Sequence, residues 1–418
     1  MDAEIISVGT ELLLGNTINT DAADISQALS RLGINVYHHT VVGDNPERLK
    51  AAVLMAKERS DLIITTGGLG PTVDDLTKQT LAAVFSLELV YHPEVAEQIR
   101  TWFQSVGREM TENNLRQAYL PAGCTIFRND WGTAPACAFN AENTIVIMLP
   151  GPPGECRMLL KHRVSPWLEN LSRQVIRSHY IHIIGMGESA VEAKLHDMME
   201  QMENPTCAPY CKDGEVMVRV TASAADAETA EVMMAPVIER IRLILGDVIY
   251  SVDIDTLEET VIRLLLQCDK TVTTVESCTG GLIAKRLTDI SGSSSVFPGG
   301  LVTYSDIQKE ILAGVPHAIL ESHGAVSEET AKAMATGARH TMGTDFALAT
   351  TGLAGPNGDG SGKPVGLIYV ALADETAVYC RKIQMNSNRT RNRTLAANYA
   401  LDLLRRRLEG LKIIPENL

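Results

Sequence analysis

The sequence predicts a three-domain α/β chain: a parallel-sheet domain at the N-terminus, a small α+β unit in the middle, and a second α/β domain at the C-terminus. Three observations carry this. The chain has 418 residues, and at about 150 residues per domain that length holds two or three cores. Apolar strand-like runs alternate with helical spacing from Glu4 to Met148, which is the order of a parallel sheet with right-handed crossovers. The alternation lapses around Asn170–Ser178 and restarts after Ser251–Thr256. Boundaries are therefore placed near 172 and 254, giving expected domains 1–172, 173–254 and 255–418.

In order along the chain, Glu4–Val8 reads as a buried strand. Ile25, Leu29 and Leu32, spaced i, i+4 and i+7, mark a helix closed by Gly33. A second strand follows over Ile34–Val42. Asn45-Pro46 supplies an N-cap and a proline at the first helical position, Leu49, Val53 and Ala56 form the apolar face, and Leu62–Ile64 is a third strand. The pattern continues through Leu76–Phe85 and Val95–Val106 to a strand at Thr144–Met148 and the turn LPGPPGE. The middle unit reads as a strand from Tyr180 to Ile184, a helix carrying Val191, Leu195, Met198 and Met202, an alternating strand Val216–Thr221, and a helix through Leu245. Met198, Met199 and Met202 read as core filling. The last unit has a strand Thr271–Val275, helices Leu282–Ile290 and Glu328–Met342, strands near Phe346–Thr350, Val365–Ala373 and Ala377–Met385, and a terminal helix.

Composition excludes several classes. With 45% hydrophobic and 21% charged residues, the chain is neither disordered, collagenous nor coiled-coil. Lys and Arg number 37 against 51 Asp and Glu, a net charge of −14, which argues against non-specific binding to nucleic acid or an anionic membrane. The eight cysteines are scattered without a CxxC pair, so neither a zinc ribbon nor a disulfide scaffold is expected. MDAEIISVGTELL has no basic stretch ahead of its apolar residues, and no apolar run nears the ~18 residues of a membrane span. The expected location is cytoplasmic.

The first candidate site begins where strand Leu62–Thr65 runs into TGGLGPTVDDLT. Strand, glycine loop and helix form a phosphate cradle, because glycines let backbone amides approach an anion and the helix adds its positive end. Gly67, Gly68, Gly70 and Thr72 are the candidate phosphate contacts. Asp74 and Asp75 have two readings. In a first helical turn they would stabilise the helix by ~0.3–1 kcal/mol with nothing bound. Beside a phosphate they would repel it unless Mg²⁺ or a similar divalent cation sat between. Two more loops, Val8-Gly9-Thr10-Glu11-Leu12 and Gly43-Asp44-Asn45-Pro46, follow strands and converge on the same crevice in an open α/β sheet. Thr10 and Glu11 thereby join the phosphate side, and Asp44 joins Asp74 and Asp75 as a candidate metal ligand.

The second candidate site begins where strand Thr271–Val275 delivers Glu276-Ser277-Cys278-Thr279-Gly280-Gly281. Ser277 stands clear of the sheet, and the amides of Thr279, Gly280 and Gly281 could stabilise an oxyanion. A serine here could equally be an N-cap, worth about 1 kcal/mol. Tyr304 and Lys309 lie around a strand-to-helix turn, and a Ser–Lys or Ser–Tyr–Lys arrangement activates serine when the lysine is desolvated enough to accept its proton. No histidine fits, since there is no HExxH and His38-His39 fall on opposite faces of a strand. Cys278 is the rival nucleophile, but the helix after it would bury it as an inert thiol. Thr351 and Gly352 open a second glycine-rich loop. Arg389, Arg391 and Arg393 precede the last helix, suited to bidentate phosphate recognition or simply to a solvated helix start. Together these pieces describe a serine amidohydrolase pocket with a phosphate clamp.

VGTELLLGNTINTDA, VGDN, TTGGLGPTVDDLT, NNLRQAYLP, GTAP and LPGPPGE resemble, in that order, the molybdopterin-binding-like domain that opens proteins of the CinA (competence/damage-inducible) family. One departure is Ala136-Cys137 after GTAP, where a small residue and an aromatic are usual. The resemblance implies either a pterin-related site or metal-dependent hydrolysis of the pyrophosphate of ADP-ribose, and the diphosphate-and-metal reading of the residues favours the second. ESCTGG, LTDISGSSS, VTYSDIQK, HGAVSEE, TTGLAGPNGDG and KPVGLIYVAL resemble the family's C-terminal domain, the PncC-type nicotinamide mononucleotide deamidase. That resemblance implies hydrolysis of nicotinamide mononucleotide to nicotinic acid mononucleotide and ammonia without a cofactor. Ser277, Tyr304 and Lys309 match its catalytic positions, and Thr351 matches a substrate contact. Where the family has Gly-Asp-Arg this chain has Ser387-Asn388-Arg389. Ile184-Gly185-Met186-Gly187-Glu188-Ser189 and Ala208-Pro209-Tyr210 resemble the family's KH-like unit. Its loop lacks the basic surroundings of a nucleic-acid binder, so a structural role is expected and nucleic acid is not. The expected protein is a bifunctional pyridine nucleotide salvage enzyme, by resemblance a homodimer. The alternative is a non-catalytic, competence- or damage-associated scaffold with a pterin site.

Overall fold

The computed structural model describes residues 1–170, 175–212 and 214–413, so the boundary expected at 172 lies outside the described residues. The chain forms two compact units, Met1–Arg177 with Ser223–Glu231 and Ser178–Ala222 with Val232–Leu418.

The first unit is built on a six-stranded sheet in the order Asn35–Val42, Asp2–Val8, Leu62–Thr66, Thr144–Leu149, Ala136–Ala141 and Thr125–Phe127. The first four strands are parallel, as expected, and the last two are antiparallel additions at one edge. Ile5, Ile6, Ile63, Ile64, Val146 and Ile147 are wholly buried, because helices cover both faces and continuous apolar runs then cost nothing. The helix ends follow their local signals. Asn19 accepts from the Ala22 amide ahead of helix Thr20–Arg31, Gly33 takes φ +66° just beyond it, and Asn45 accepts from the Arg48 amide ahead of Pro46–Lys57.

A four-stranded sheet follows in the order Thr206–Lys212, Glu215–Ala224, Val175–Ile184 and Ile249–Val252, with helices Glu188–Gln201 and Ala227–Leu245. Val216, Val218, Val220 and Ala222 are buried on one face of its second strand, the alternation of a half-covered sheet. Met198, Met199 and Met202 are half-buried.

The C-terminal sheet runs Gly300–Val302, Val272–Glu276, Phe346–Gly352, Leu367–Ala373 and Val378–Gln384, the first three parallel and the last two antiparallel. Helix Glu328–Met342 packs in the core on one face, and helices Leu257–Cys268, Leu282–Thr288 and Arg389–Leu408 form the core on the other. Arg405 and Arg406 are fully buried in the last helix. They donate to the Asp247 and Ile249 carbonyls, and Arg406 also pairs with the Asp247 carboxylate. Two buried guanidiniums are tolerable only because their donors are satisfied, so the segment leading into Ile249–Val252 is bound to this helix. Among the described residues no helix is long and apolar enough to cross a membrane.

Candidate functional site

The carboxyl ends of the parallel strands in the first unit open onto a cleft of ≈ 580 Å³. The three expected loops meet there: Gly9 and Glu11 from the first, Asp44 from the second, and Gly67, Gly68, Gly70, Thr72, Asp74 and Asp75 from the third all line it. Thr10, exposed at the start of the short helix Thr10–Leu13, is not among the lining residues; its amide and hydroxyl donate to Asp44 Oδ2 at 3.0 and 2.8 Å. One oxygen of Asp44 thus joins two loops. Likewise the Thr72 amide and hydroxyl donate to Asp75 Oδ2 at 2.8 and 2.6 Å, closing a turn.

Three expectations change here. The helix after the loop begins at Thr77 with Leu76 as its N-cap, so Asp74 and Asp75 precede it and do not cap its first turn. Two of the expected anion donors are already committed, the Gly67 amide to Leu149 O and the Thr72 amide to Asp75. The Gly68 and Gly70 amides remain. Finally, among the described residues no three His, Cys, Asp or Glu side chains stand close enough to hold a metal ion between them, so Asp44, Asp74 and Asp75 share the cleft without forming a ready cage. The glycines also have an internal reason: a Cβ on Gly67 (φ +94°) would lie 2.1 Å from Val8 O, and one on Gly68 (φ +66°) 2.1 Å from Thr77 Oγ1.

Two titratable groups here escaped the sequence reading. Lys78, 2% exposed, donates to Arg116 O at 2.7 Å, and burial pulls its ammonium down to about 8. Glu155, from LPGPPGE, lines the cleft with its carboxyl raised by burial. The only local signal was a carboxylate after a proline turn, which is as common in helix starts as in sites.

In the C-terminal sheet, Glu276 is paired with Val302 on one side and Thr350 on the other. Ser277 follows it, donating its amide to Thr350 O at 3.0 Å, while the Thr303 amide donates to Glu276 O at 2.9 Å. Ser277, Tyr304 and Thr351 therefore leave the ends of three adjacent parallel strands. Ser277 is not an N-cap, since the next helix begins at Leu282 behind Gly281. That helix end is occupied instead by Glu276, wholly buried, whose carboxylate accepts the amides of Gly281, Ile283 and Ala284 at 2.9, 3.1 and 2.8 Å. The oxyanion expectation narrows accordingly. Gly281 is held by Glu276, Gly280 by Ser277 O at 3.1 Å, and the Thr279 amide is turned toward the Cys278 sulfur.

Lys309 is 1% exposed on helix Asp306–Ala313, its ammonium 3.4 Å from Asp306 Oδ1. Tyr304 is 63% exposed, and its oxygen accepts from Arg389 Nη2 at 3.0 Å while Arg389 Nη1 donates to Gly355 O at 2.7 Å. Arg393, one turn on, donates to Thr279 O. Asn388, at the family's aspartate position, caps this helix by accepting from the Arg391 amide at 2.9 Å, and Arg391 is exposed. Thr351 is 1% exposed and donates to Ala325 O at 2.6 Å. Gly352 is a packing glycine: a Cβ there would lie 2.6 Å from Leu367 O. Cys278 is buried, which pushes its thiol up to about 12 and leaves it inert, as expected.

Residues 254–408 match the CinA C-terminal domain family, 4–170 the "Probable molybdopterin binding domain" family, and 178–251 the damage-inducible protein CinA KH domain family. The chain is 48% identical to a competence-damage inducible protein of Thermoanaerobacter pseudethanolicus over 99% of its own length and 100% of that protein's. It is 46% identical to a CinA-like protein of Kosmotoga olearia over 98% of this chain and 99% of that one. A solved CinA structure from Thermoplasma acidophilum aligns at 35% identity and TM-score 0.37, covering 40% of this chain and 96% of that one.

Proposed function

The chain belongs to the CinA family of competence/damage-inducible proteins, and from that premise we propose that its C-terminal site is a serine amidohydrolase acting on nicotinamide mononucleotide. The observation that carries this reading is the convergence of Ser277, Tyr304 and Thr351 on three neighbouring strand ends, with Lys309 buried on the helix after Tyr304. In this reading Ser277 Oγ gives its proton to Lys309 and attacks the carboxamide carbon. Arg389 donates to the Tyr304 oxygen, so the Tyr304 proton is free to face the substrate and stabilise the oxyanion. Ammonia leaves carrying a proton from Lys309, and water then releases the nicotinic acid product. Ammonia release from nicotinamide mononucleotide by the purified protein, absent in Ser277→Ala, is the test.

A second reading concerns the N-terminal cleft, where Gly68, Gly70 and five acids, Glu11, Asp44, Asp74, Asp75 and Glu155, line one space. The supported chemistry is metal-dependent hydrolysis of a nucleoside diphosphate sugar, with ADP-ribose as the substrate. Carboxylate oxygens suit a hard cation, and Mg²⁺ commonly binds through one or two carboxylates plus substrate phosphates instead of a full protein cage. Asp74 and the second oxygen of Asp75 would supply those one or two carboxylates, with substrate phosphates filling the rest of the shell. When bound, such a cation neutralises phosphate charge. The Gly68 and Gly70 amides orient the diphosphate. Release of AMP and ribose phosphate from ADP-ribose with added divalent cation tests this reading, and tight pterin binding without cleavage would favour the alternative.

A further inference from the structure

Glu155 is the third residue of helix Pro153–Leu159, a position from which an acid ordinarily serves its own helix amides. Its side chain goes elsewhere. Oε2 accepts from Asn129 Nδ2 at 2.6 Å, and the carboxyl also accepts from the Thr133 amide. Asn129, 1% exposed, is itself fixed at both ends of its amide, donating to Ala134 O at 2.8 Å and accepting from the Trp131 amide at 2.9 Å. Gly132 makes the room: a Cβ there would lie 1.9 Å from the Glu155 carboxyl carbon. Among the described residues no cation pairs with this carboxyl, and burial raises its proton affinity. The other acids of the cleft are differently employed. Asp44 and Asp75 each commit an oxygen to closing a loop, Asp74 is exposed, and Glu11 lies folded over Gly9.

We propose that Glu155 is the proton acceptor that activates water in the N-terminal cleft, an assignment that rests on the diphosphate-hydrolysis reading above. A carboxyl held in one orientation by a buried amide, unpaired by any cation and open to the same cleft as the glycine loop, is placed as a general base is. The water oxygen bonds to one phosphorus of the diphosphate and its proton passes to Glu155. The bond from that phosphorus to the bridging oxygen breaks, the electron pair staying on that oxygen, which leaves as the second phosphate monoester. Glu155 then returns the proton to solvent.

The test uses the full chain, ADP-ribose and one fixed divalent cation. Glu155→Gln keeps the shape and the Asn129 contact, and should lower kcat by about 10²–10⁴-fold with KM little changed. Glu155→Ala should recover part of that loss when formate is added, a response that a purely structural side chain would not give. Should either variant unfold, Glu155→Asp keeps the charge but shortens the reach, and should lose up to about 10²-fold in kcat at unchanged KM. A folded Glu155→Gln within threefold of the parent, or a fully active Glu155→Asp, overturns the assignment while leaving the hydrolysis reading intact. A parent protein that fails to cleave ADP-ribose whichever divalent cation is supplied overturns both.

Discussion

The two candidate sites occupy the same topological place, the carboxyl ends of parallel strands followed by a glycine-rich turn, yet they are assembled in different ways. In the C-terminal site Ser277, Lys309 and Thr351 are 9%, 1% and 1% exposed, held by strand pairing and by a buried carboxylate. In the N-terminal cleft Asp44, Asp74 and Asp75 sit on loops, Asp74 is exposed, and Asp44 and Asp75 each spend an oxygen on loop closure. In the first site three of these candidate side chains are buried by the fold while Tyr304 is 63% exposed. The second has carboxylate charge without a gathered cage, so its last contacts must come from what binds. Strand ends alone do not say which kind of site a fold will carry; the hydrogen-bond partners behind the loop decide it.

The sharpest way to break this comparison is Ser277→Ala. Deamidation should fall by more than about 10³-fold while ADP-ribose cleavage by the same sample is unchanged. Equal losses in both assays would show that the two sites are not independent. Next in size, Asp74→Asn with Asp75→Asn should remove divalent-dependent ADP-ribose cleavage by about 10²-fold or more, with the deficit shrinking as metal concentration rises. A deficit that ignores metal concentration would mean that Asp75 matters only through the Thr72 turn.

Arg389→Ala sharpens the account of the C-terminal site. Loss of a contact to a charged phosphate should cost about 1.5–3 kcal/mol in kcat/KM for nicotinamide mononucleotide. Because Arg389 also holds Tyr304, the nucleoside lacking phosphate should lose some kcat but not this binding energy. Identical losses for both substrates would assign Arg389 to Tyr304 alone and move phosphate recognition to Arg393.

The smallest effect concerns the frame of that site. Burial by itself would raise the Asp374 carboxyl, but Arg407, Thr376 and the Ala377 amide bind its charged form and hold it down to about 2. A depressed native value means that this stabilisation is present above the unfolded value near 4 and is lost as pH falls toward 2, at most about 2 kcal/mol. Asp374→Asn should lower the thermal midpoint at pH 7 and flatten its decline below pH 4, with deamidase kinetics nearly unchanged. A large kinetic effect would mean that Arg407 helps set the position of the helix carrying Arg389 and Arg393.

Much of this was legible before any coordinates. The runs at Ile5–Ile6 and Ile63–Ile64, the caps at Asn45-Pro46 and Gly33, and the meeting of three loops at one crevice follow from local apolar spacing and from the geometry of parallel sheets. Shorter pieces were not legible. Gly300–Val302 and Thr125–Phe127 have three residues each, too few for a period to show, and Ala136–Ala141 carries no alternation that marks it as the antiparallel neighbour of Thr144–Leu149.

What the sequence by itself determined was which residues are buried and where loops of special backbone fall, because side-chain polarity and glycine or proline geometry act within a few residues. What only the tertiary structure decided was the use of each polar atom. That Glu276 takes the Gly281 amide, one of the three expected for an oxyanion, that Asp44 is shared with Thr10, and that Glu155 turns to Asn129, 26 residues away, depend on atoms brought within 3 Å or so of each other by packing. A hydrogen bond's partner is a matter of position in space, and local sequence carries little of that.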